Sequence, residues 1–400
     1  MSADEKEMVT LTIDGREIQA PKGSTILQAA QRAGIEIPHY CYHPHLSIAG
    51  NCRICQVEVT GAPKMMIACH TQVQDGMEVK THATSSAVKA AQAAVMEFIL
   101  INHPLDCTVC DQAGHCKLQD YHYEYNARPS RFLEEKVHKV KAEPLGPHVI
   151  LDGERCIMCT RCIRFCDEVT GTSELGMINR GDRSMIAVSP DRPLDNPLSG
   201  TVVDLCPVGA LTHRDWRFNT RIWYTKQVDS ICPGCSTGCN VKVAVRDNKI
   251  VGVKARLNDE VNKEWLCDEG RYGFERFLPE NRLSGGLLEG KEVSAEEAIT
   301  ALSKLDIKPS LVFLSPDLLL EDFFIAKKFI ENVLKDVRVY VAYRERSLSD
   351  VEKILVSPDY AANFKGAEYF GFTVSEENYN EGLKELAAGK AEHVLLVGER

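Results

Sequence analysis

Glu154–Val169, ERCIMCTRCIRFCDEV, and its echo forty residues on, Asp204–Leu211, DLCPVGAL, decide how this chain of 400 residues is read. Cys156, Cys159 and Cys162 are each two residues apart, a spacing that lets three thiolates grip one cube of iron and sulfide. Ferredoxins use C-x2-C-x2-C-x3-C-P, the proline marking the last cysteine. Cys166 holds the x3 position but has no proline, whereas Cys206 is followed by Pro207. Cys206 is therefore expected to complete the site, and Cys166 to be a small buried apolar residue. Arg155, Arg161 and Arg164 interleave with these cysteines and are expected to form a solvated basic face. If instead they approach the cluster, their charge would raise its reduction potential.

Composition points the same way. A net charge of −10 lacks the basic face of a nucleic-acid binder. Sixteen cysteines could serve disulfides in a secreted chain, but the opening MSADEKEMV is polar and has no apolar signal core. Paired cysteines in a reducing compartment argue for metal. The longest apolar run, AAVMEFILI, carries Glu97 and is far short of the roughly 18 residues that span a bilayer. A soluble protein is expected.

Working outward, residues 1–82 begin with alternating VTLTI, a DGRE turn and EIQA, which predict a hairpin. Ser24 or Thr25 can cap a helix with Ile26, Leu27, Ala30 and Ala33 on its apolar face, ended by Gly34. A cysteine loop and the strands QVEVT, MMIAC and MEVKT follow, giving a β-grasp, ferredoxin-type domain. Cys41, Cys52, Cys55 and Cys69 are spaced C-x10-C-x2-C-x13-C. This keeps the central pair of the plant-type pattern, so a [2Fe-2S] cluster is the reading, with a zinc site as the alternative.

Residues 83–145 open with a helix whose apolar side is read as Val88, Ala91, Val95 and Phe98. His103, Cys107, Cys110 and Cys116 follow as H-x3-C-x2-C-x5-C. On spacing alone this suits a [4Fe-4S] cluster or a zinc site of three thiolates and one imidazole equally. His115 competes with His103 for the fourth place but adjoins Cys116. His43, His45 and His70 are read as loop residues. Residues 146–222 hold the central site. Residues 223–282 carry Cys232, Cys235, Cys239 and Cys267, spaced C-x2-C-x3-C-x27-C, with two strands, VKVAVRD and KIVGVKA, between the last two cysteines. A further [4Fe-4S] cluster fits, Gly234 and Gly238 letting backbone close around it.

Residues 283–400 contain no cysteine and alternate helix and strand: SAEEAITALSKL, PSLVFLS, EDFFIAKKFIENVL, VRVYVAY, NYNEGLKELAAG, HVLLVG. That predicts a parallel α/β sheet. There is no G-x-G-x-x-G, no P-loop and no catalytic triad pattern, so no catalytic residue is assigned. The end at Arg400, directly after a strand, suggests a shortened domain or a sequence cut early. Four quartets use fifteen of the sixteen cysteines and one histidine. Redox centres in series make sense when electrons hop between them, so the chain reads as an electron conductor of α+β, multidomain class. A zinc scaffold remains the non-redox alternative.

The motifs YCYHP, GNCRICQVEV, ACHTQV, NHPLDCTVCDQAGHCKLQD, ERCIMCTRCIRFCDEVTGTSELG, LSGTVVDLCPVGALT and CPGCSTGCNVKV together resemble the large iron–sulfur subunit family (75-kDa type) of bacterial NADH–quinone oxidoreductase, respiratory complex I, over roughly residues 8–280. The resemblance implies one [2Fe-2S] cluster on Cys41, Cys52, Cys55 and Cys69. It implies three [4Fe-4S] clusters: on His103, Cys107, Cys110 and Cys116; on Cys156, Cys159, Cys162 and Cys206; and on Cys232, Cys235, Cys239 and Cys267. The last would lie off the main electron path. The resemblance also favours iron over zinc at the site that includes His103. It further implies a subunit at the cytoplasmic face of the inner membrane, touching the membrane only through its complex. Electrons would arrive from an NADH- and FMN-binding flavoprotein, with a small [2Fe-2S] subunit nearby, and leave through a ferredoxin-like 2[4Fe-4S] subunit toward quinone. Residues 283–400 resemble, through PDYAANFKGAEYFGF, the start of a molybdopterin-oxidoreductase-like domain, too short here for a molybdopterin to be expected. Subunits of NAD-linked hydrogenases and formate dehydrogenases share the first modules and form the rival reading.

Overall fold

In the computed structural model, residues 7–277, 286–304, 309–334 and 336–398 are described. The expected boundary at 282/283 and the chain end at Arg400 lie outside them. Two units, Met1–Thr225 and Lys226–Arg400, each form their own contacts.

In the first unit, β1 (Met8–Ile13) and β2 (Arg16–Pro21) pair in register from Met8↔Pro21 to Ile13↔Arg16. Asp14 and Gly15, with φ of 52° and 81°, make the tight turn whose twist suits a hairpin. Helix α1 (Ile26–Arg32) starts at a capping box. There Gln28 N donates to Thr25 Oγ1 at 3.2 Å and Thr25 N donates to Gln28 Oε1 at 2.9 Å. Strands β3 (Gln56–Val59), β4 (Met66–Ile67) and β5 (Glu78–Lys80) complete a sheet ordered β2-β1-β5-β3-β4, with β1 and β5 parallel. Leu11, Ile13, Ile26, Leu27, Val57 and Val79 fill its core. The helix and sheet frame the 35–55 loop that carries three of the first four cysteines.

Helix α2 (Ser86–Leu100) corrects one expectation. It buries Val88, Gln92, Ala93 and Met96, while Phe98 is 74% exposed. Gln92 is accommodated because its Nε2 donates to Gln56 O at 3.1 Å, tying α2 to β3. Past α2 the chain has little regular structure beyond α3 (Lys117–Tyr121), until β6 (Glu143–Pro144).

The central segment contains β7 (Val149–Leu151), α4 (Arg161–Glu168), the hairpin β8 (Leu175–Ile178) and β9 (Met185–Val188), α5 (Thr201–Leu205) and β10 (Leu211–His213). Its sheet is ordered β10-β7-β6, and Leu211 pairs with Leu151. That pairing positions the site: β7 runs straight into the Cys156 loop and β10 follows Cys206, so the ladder closes a separation the sequence leaves open.

The second unit starts with an antiparallel meander, β11 (Lys226–Ile231), β12 (Asn240–Arg246) and β13 (Lys249–Ala255). Asp247 and Asn248, both at positive φ, turn β12 into β13. After α6 (Asp268–Tyr272) come a hairpin, β14 (Gly286–Leu288) with β15 (Lys291–Val293), then α7 (Ala295–Lys304), β16 (Leu311–Leu314), α8 (Leu320–Asn332), β17 (Arg338–Val341), α9 (Phe364–Tyr369), α10 (Glu376–Ala387) and β18 (Val394–Val397). The expected parallel sheet is present, with β16 between β17 and β18. Strand β11, the β14–β15 hairpin and α9 go beyond the elements expected from the sequence.

Candidate metal centres

The first quartet sits on the loop between α1 and β3 and just past β4. Cys41, Cys55 and Cys69 are buried. The thiols are close enough to bond one another, Cys41 with Cys52 and Cys69, and Cys55 with Cys69. Those sulfur–sulfur hydrogen bonds hold Cys41 and Cys55 below the usual thiol value and push Cys52 and Cys69 above it. Cys41 N also donates to Cys52 Sγ at 3.5 Å. Nearby, His45 N donates to His43 Nδ1, and His70 is exposed, in keeping with loop roles.

For the second set, His103, Cys107 and Cys116 line one cavity of about 840 Å³ beside the end of α2. Cys110 is buried, with its thiol against Gly209. A Cβ on Gly209 would stand 2.1 Å from Cys110 Sγ, so only glycine lets the segment after Cys206 lie here. Burial holds His103 down at about 4, so its imidazole is neutral at pH 7 and keeps a lone pair to give. Its buried Nδ1 has no hydrogen-bond partner among the described residues. Burial pushes the Cys110 and Cys116 thiols up.

At the central site, Cys156, Cys159, Cys162 and Cys206 all line one small cavity with Leu151 and Arg161. Met158 and Thr160, with φ of 54° and 61°, wind the loop through the left-handed region. Met158 N thereby donates to Cys156 Sγ at 3.4 Å. Cys166 is fully buried away from this cavity, where burial and the nearby Glu174 carboxylate push its thiol up. Burial raises Cys156, Cys159 and Cys206 to about 11. A bound metal would take those protons off, since coordinating thiols are deprotonated outright.

The basic face expected here is not solvated. Arg155 and Arg161 are buried. Arg155 pairs with Asp106, Nη2 to Oδ2 at 2.9 Å, and with Asp152 at 3.3 Å. Arg161 donates to backbone oxygens, Leu205 O at 3.2 Å and Tyr42 O at 2.5 Å. Burial lowers its basicity, and the ionisable Cys159 and Cys206 sulfurs beside it oppose that. A buried cation facing ionisable sulfurs suits an anionic centre.

In the second unit, Cys232, Cys235, Cys239 and Cys267 line another cavity, walled also by Leu355, Val356 and Tyr360. Ser357 N donates to Cys235 Sγ at 3.5 Å and Gly270 N to Cys267 Sγ at 3.3 Å. A Cβ on Gly270 would come within 3.0 Å of Cys232 Sγ and 3.3 Å of Cys267 Sγ. Burial pushes Cys267 up to about 12. The wall from residues 355–360 is invisible in the sequence, because nothing in it marks a metal site.

The donor chemistry, sulfurs and one neutral imidazole, suits iron–sulfur centres; backbone N–H groups turn to sulfur in the first, central and fourth sets, and glycines stand at the close approaches in the second and fourth.

Four family profiles match in chain order. They are described as a 2Fe-2S iron–sulfur cluster binding domain (residues 6–84), an NADH-ubiquinone oxidoreductase-G iron–sulfur binding region (92–131), an NADH-quinone oxidoreductase subunit 3 ferredoxin-like domain (146–212) and a molybdopterin oxidoreductase Fe4S4 domain (225–278). These profiles define an iron–sulfur protein with both 2Fe-2S and 4Fe-4S domains.

Among its relatives, the G subunit of NADH-quinone oxidoreductase from Rickettsia bellii is 40% identical over 334 residues, 82% of this chain and 48% of that protein. The 75 kDa subunit of NADH-ubiquinone oxidoreductase from Reclinomonas americana is 42% identical over 301 residues, 74% and 43%. A chain in the crystal structure of an NAD+-reducing [NiFe]-hydrogenase in the H2-reduced state is 31% identical, with a TM-score of 0.48, covering 54% of this chain and 91% of that one. The chain belongs to the family of the large, 75-kDa-type iron–sulfur subunit of NADH–quinone oxidoreductase. It spans about half the length of the curated relatives it matches. No helix among the described residues is long and apolar enough to cross a membrane.

Proposed function

We propose that this chain is the electron-relaying iron–sulfur subunit of an NADH–quinone oxidoreductase. The observation that carries the reading is the central cavity, which gathers Cys156, Cys159, Cys162 and Cys206 and leaves Cys166 outside. Cys41, Cys52, Cys55 and Cys69 would hold a [2Fe-2S] cluster. His103, Cys107, Cys110 and Cys116, the central four, and Cys232, Cys235, Cys239 and Cys267 would each hold a [4Fe-4S] cluster.

Such centres, when bound, accept and release single electrons at potentials tuned by ligand charge, hydrogen bonds and burial. The chain's own residues do the tuning. Arg161 brings a buried positive charge to the central site, the amides of Met158, Ser357 and Gly270 donate to sulfur, and His103 substitutes a neutral ligand for a thiolate. The five domains read from the sequence, an NADH- and FMN-binding flavoprotein upstream, a small [2Fe-2S] subunit beside it, a ferredoxin-like 2[4Fe-4S] subunit downstream and a peripheral place on the cytoplasmic face of the membrane belong to the same proposal. No molybdopterin is part of it.

The test is anaerobic purification of the complete protein, with iron and acid-labile sulfide measured against protein. The expected content is one two-iron and three four-iron centres, with paramagnetic signals after dithionite. A folded, colourless, zinc-loaded protein would refute the reading. In the same preparation, His103→Cys should retain a centre at lower potential, because thiolate adds negative charge where imidazole was neutral.

A further inference from the structure

Arg164, on the first turn of α4, reaches backbone belonging to two different quartets. Its Nη2 donates to Cys41 O at 2.6 Å and to Cys159 O at 3.2 Å, its Nη1 to Ser47 O at 2.5 Å and its Nε to Thr160 Oγ1 at 3.3 Å. One planar fork therefore holds a cysteine carbonyl from the first set and another from the central set. The seam around it is polar. Ser47 N donates to Glu168 Oε2 at 2.8 Å, and Asn51 Nδ2 donates to Met158 O at 3.2 Å. A guanidinium suits this place because its rigid fork can serve several acceptors at once, which a lysine ammonium on a flexible stem does less well.

We propose that Arg164 is a positioning residue for electron transfer between the first and the central centre. It fixes their separation and bridges the Cys41 and Cys159 carbonyls by hydrogen bonds. The inference rests on the ligand reading given under Proposed function. In the step it would serve, Cys41, Cys52, Cys55 and Cys69 would hold the donor of one electron and Cys156, Cys159, Cys162 and Cys206 its acceptor, one iron being oxidised for each one reduced. No bond is made or broken and no proton moves; a reduced flavin or, in the assay, a flash-generated photoreductant supplies the electron.

The experiment compares the complete wild-type protein with Arg164→Ala, Arg164→Lys and Glu168→Gln, all prepared without oxygen. Iron content and the separate paramagnetic spectra report whether each centre is present. The magnetic dipolar splitting between the two reduced centres, hydrogen exchange of the 43–51 amides and the rate of electron passage after flash reduction report their coupling. Arg164→Ala is expected to retain both spectra while the splitting weakens, the 43–51 amides exchange faster and passage slows severalfold. Millimolar guanidinium ion should restore part of that rate. Arg164→Lys should lie between wild type and alanine, and Glu168→Gln, which loosens the seam without touching either cysteine carbonyl, should stay near wild type. Unchanged splitting and rate in Arg164→Ala, or an equal loss in Glu168→Gln, would overturn the proposal alone. If Arg164→Ala loses its centres, Arg164→Lys decides, and a wild-type rate there overturns it. A wild-type protein lacking either signal would refute the ligand reading and this inference with it.

Discussion

Replacing Gly209 by alanine tests the second donor set through a residue that is not a donor. The new methyl would stand 2.1 Å from Cys110 Sγ and 3.1 Å from Gln112 Cβ, where ordinary contact begins at 3.4 Å. The segment after Cys206 and the Cys110 loop must therefore part by more than an ångström. Overpacking of this kind costs about 1–3 kcal/mol. For a unit of roughly 150–250 residues each kcal/mol lowers Tm by about 2–4 °C, so the metal-free protein should melt about 2–12 °C lower. In that state the thiol can swing aside. In the loaded protein a sulfur bound to iron cannot, so the strain falls on the centre. Iron should fall below the wild-type ratio, and the signal from the His103 site should be the first lost. In metal-free protein, adding Cys110→Ala should recover most of the lost stability, a non-additivity expected of touching groups. Full iron content with an unaltered spectrum in Gly209→Ala would refute the close packing of Cys110 on Gly209 and its place in the second donor set.

Gly270→Ala crowds Cys232 and Cys267 at 3.0 and 3.3 Å and should remove iron from the fourth site while leaving the other three spectra; four intact spectra would count against it. Cys206→Ser should damage the central signal and Cys166→Ser leave every signal in place, because Cys166 lies outside the cavity; paramagnetic spectra of the two variants decide, and the reverse outcome would move the fourth ligand. Gln92→Ala removes the bond from α2 to Gln56 O and should cost about 1–3 kcal/mol, seen as a lower urea midpoint at constant slope. An unmoved midpoint would mean that bond contributes nothing.

What the sequence makes legible is local. Two-residue cysteine gaps, the Asp14-Gly15 turn and the Thr25 capping box are set by neighbours a few positions away, and each stands where the spacing puts it. What it hides depends on partners far along the chain. Counting apolar residues along α2 favours Phe98, yet Gln92 is buried because its acceptor, Gln56 O, lies on β3. The arginines of the central motif look solvated because Asp106, Tyr42 and Leu205, which receive them, are distant in sequence. Strand β11 is exposed along its whole length, so it shows no alternation to read.

The ladder between β7 and β10 bears on how this protein is made. With the proposed ligands, three thiols of the central site would leave the ribosome together, and the fourth would be brought to them by the pairing of Leu211 with Leu151. A nascent chain that ends before that point offers an open, three-sulfur cup, vulnerable to oxidants and to the wrong metal. A receptacle with all four sulfurs would thus exist only after the whole segment has been translated and paired, so that strand docking would come before cluster binding.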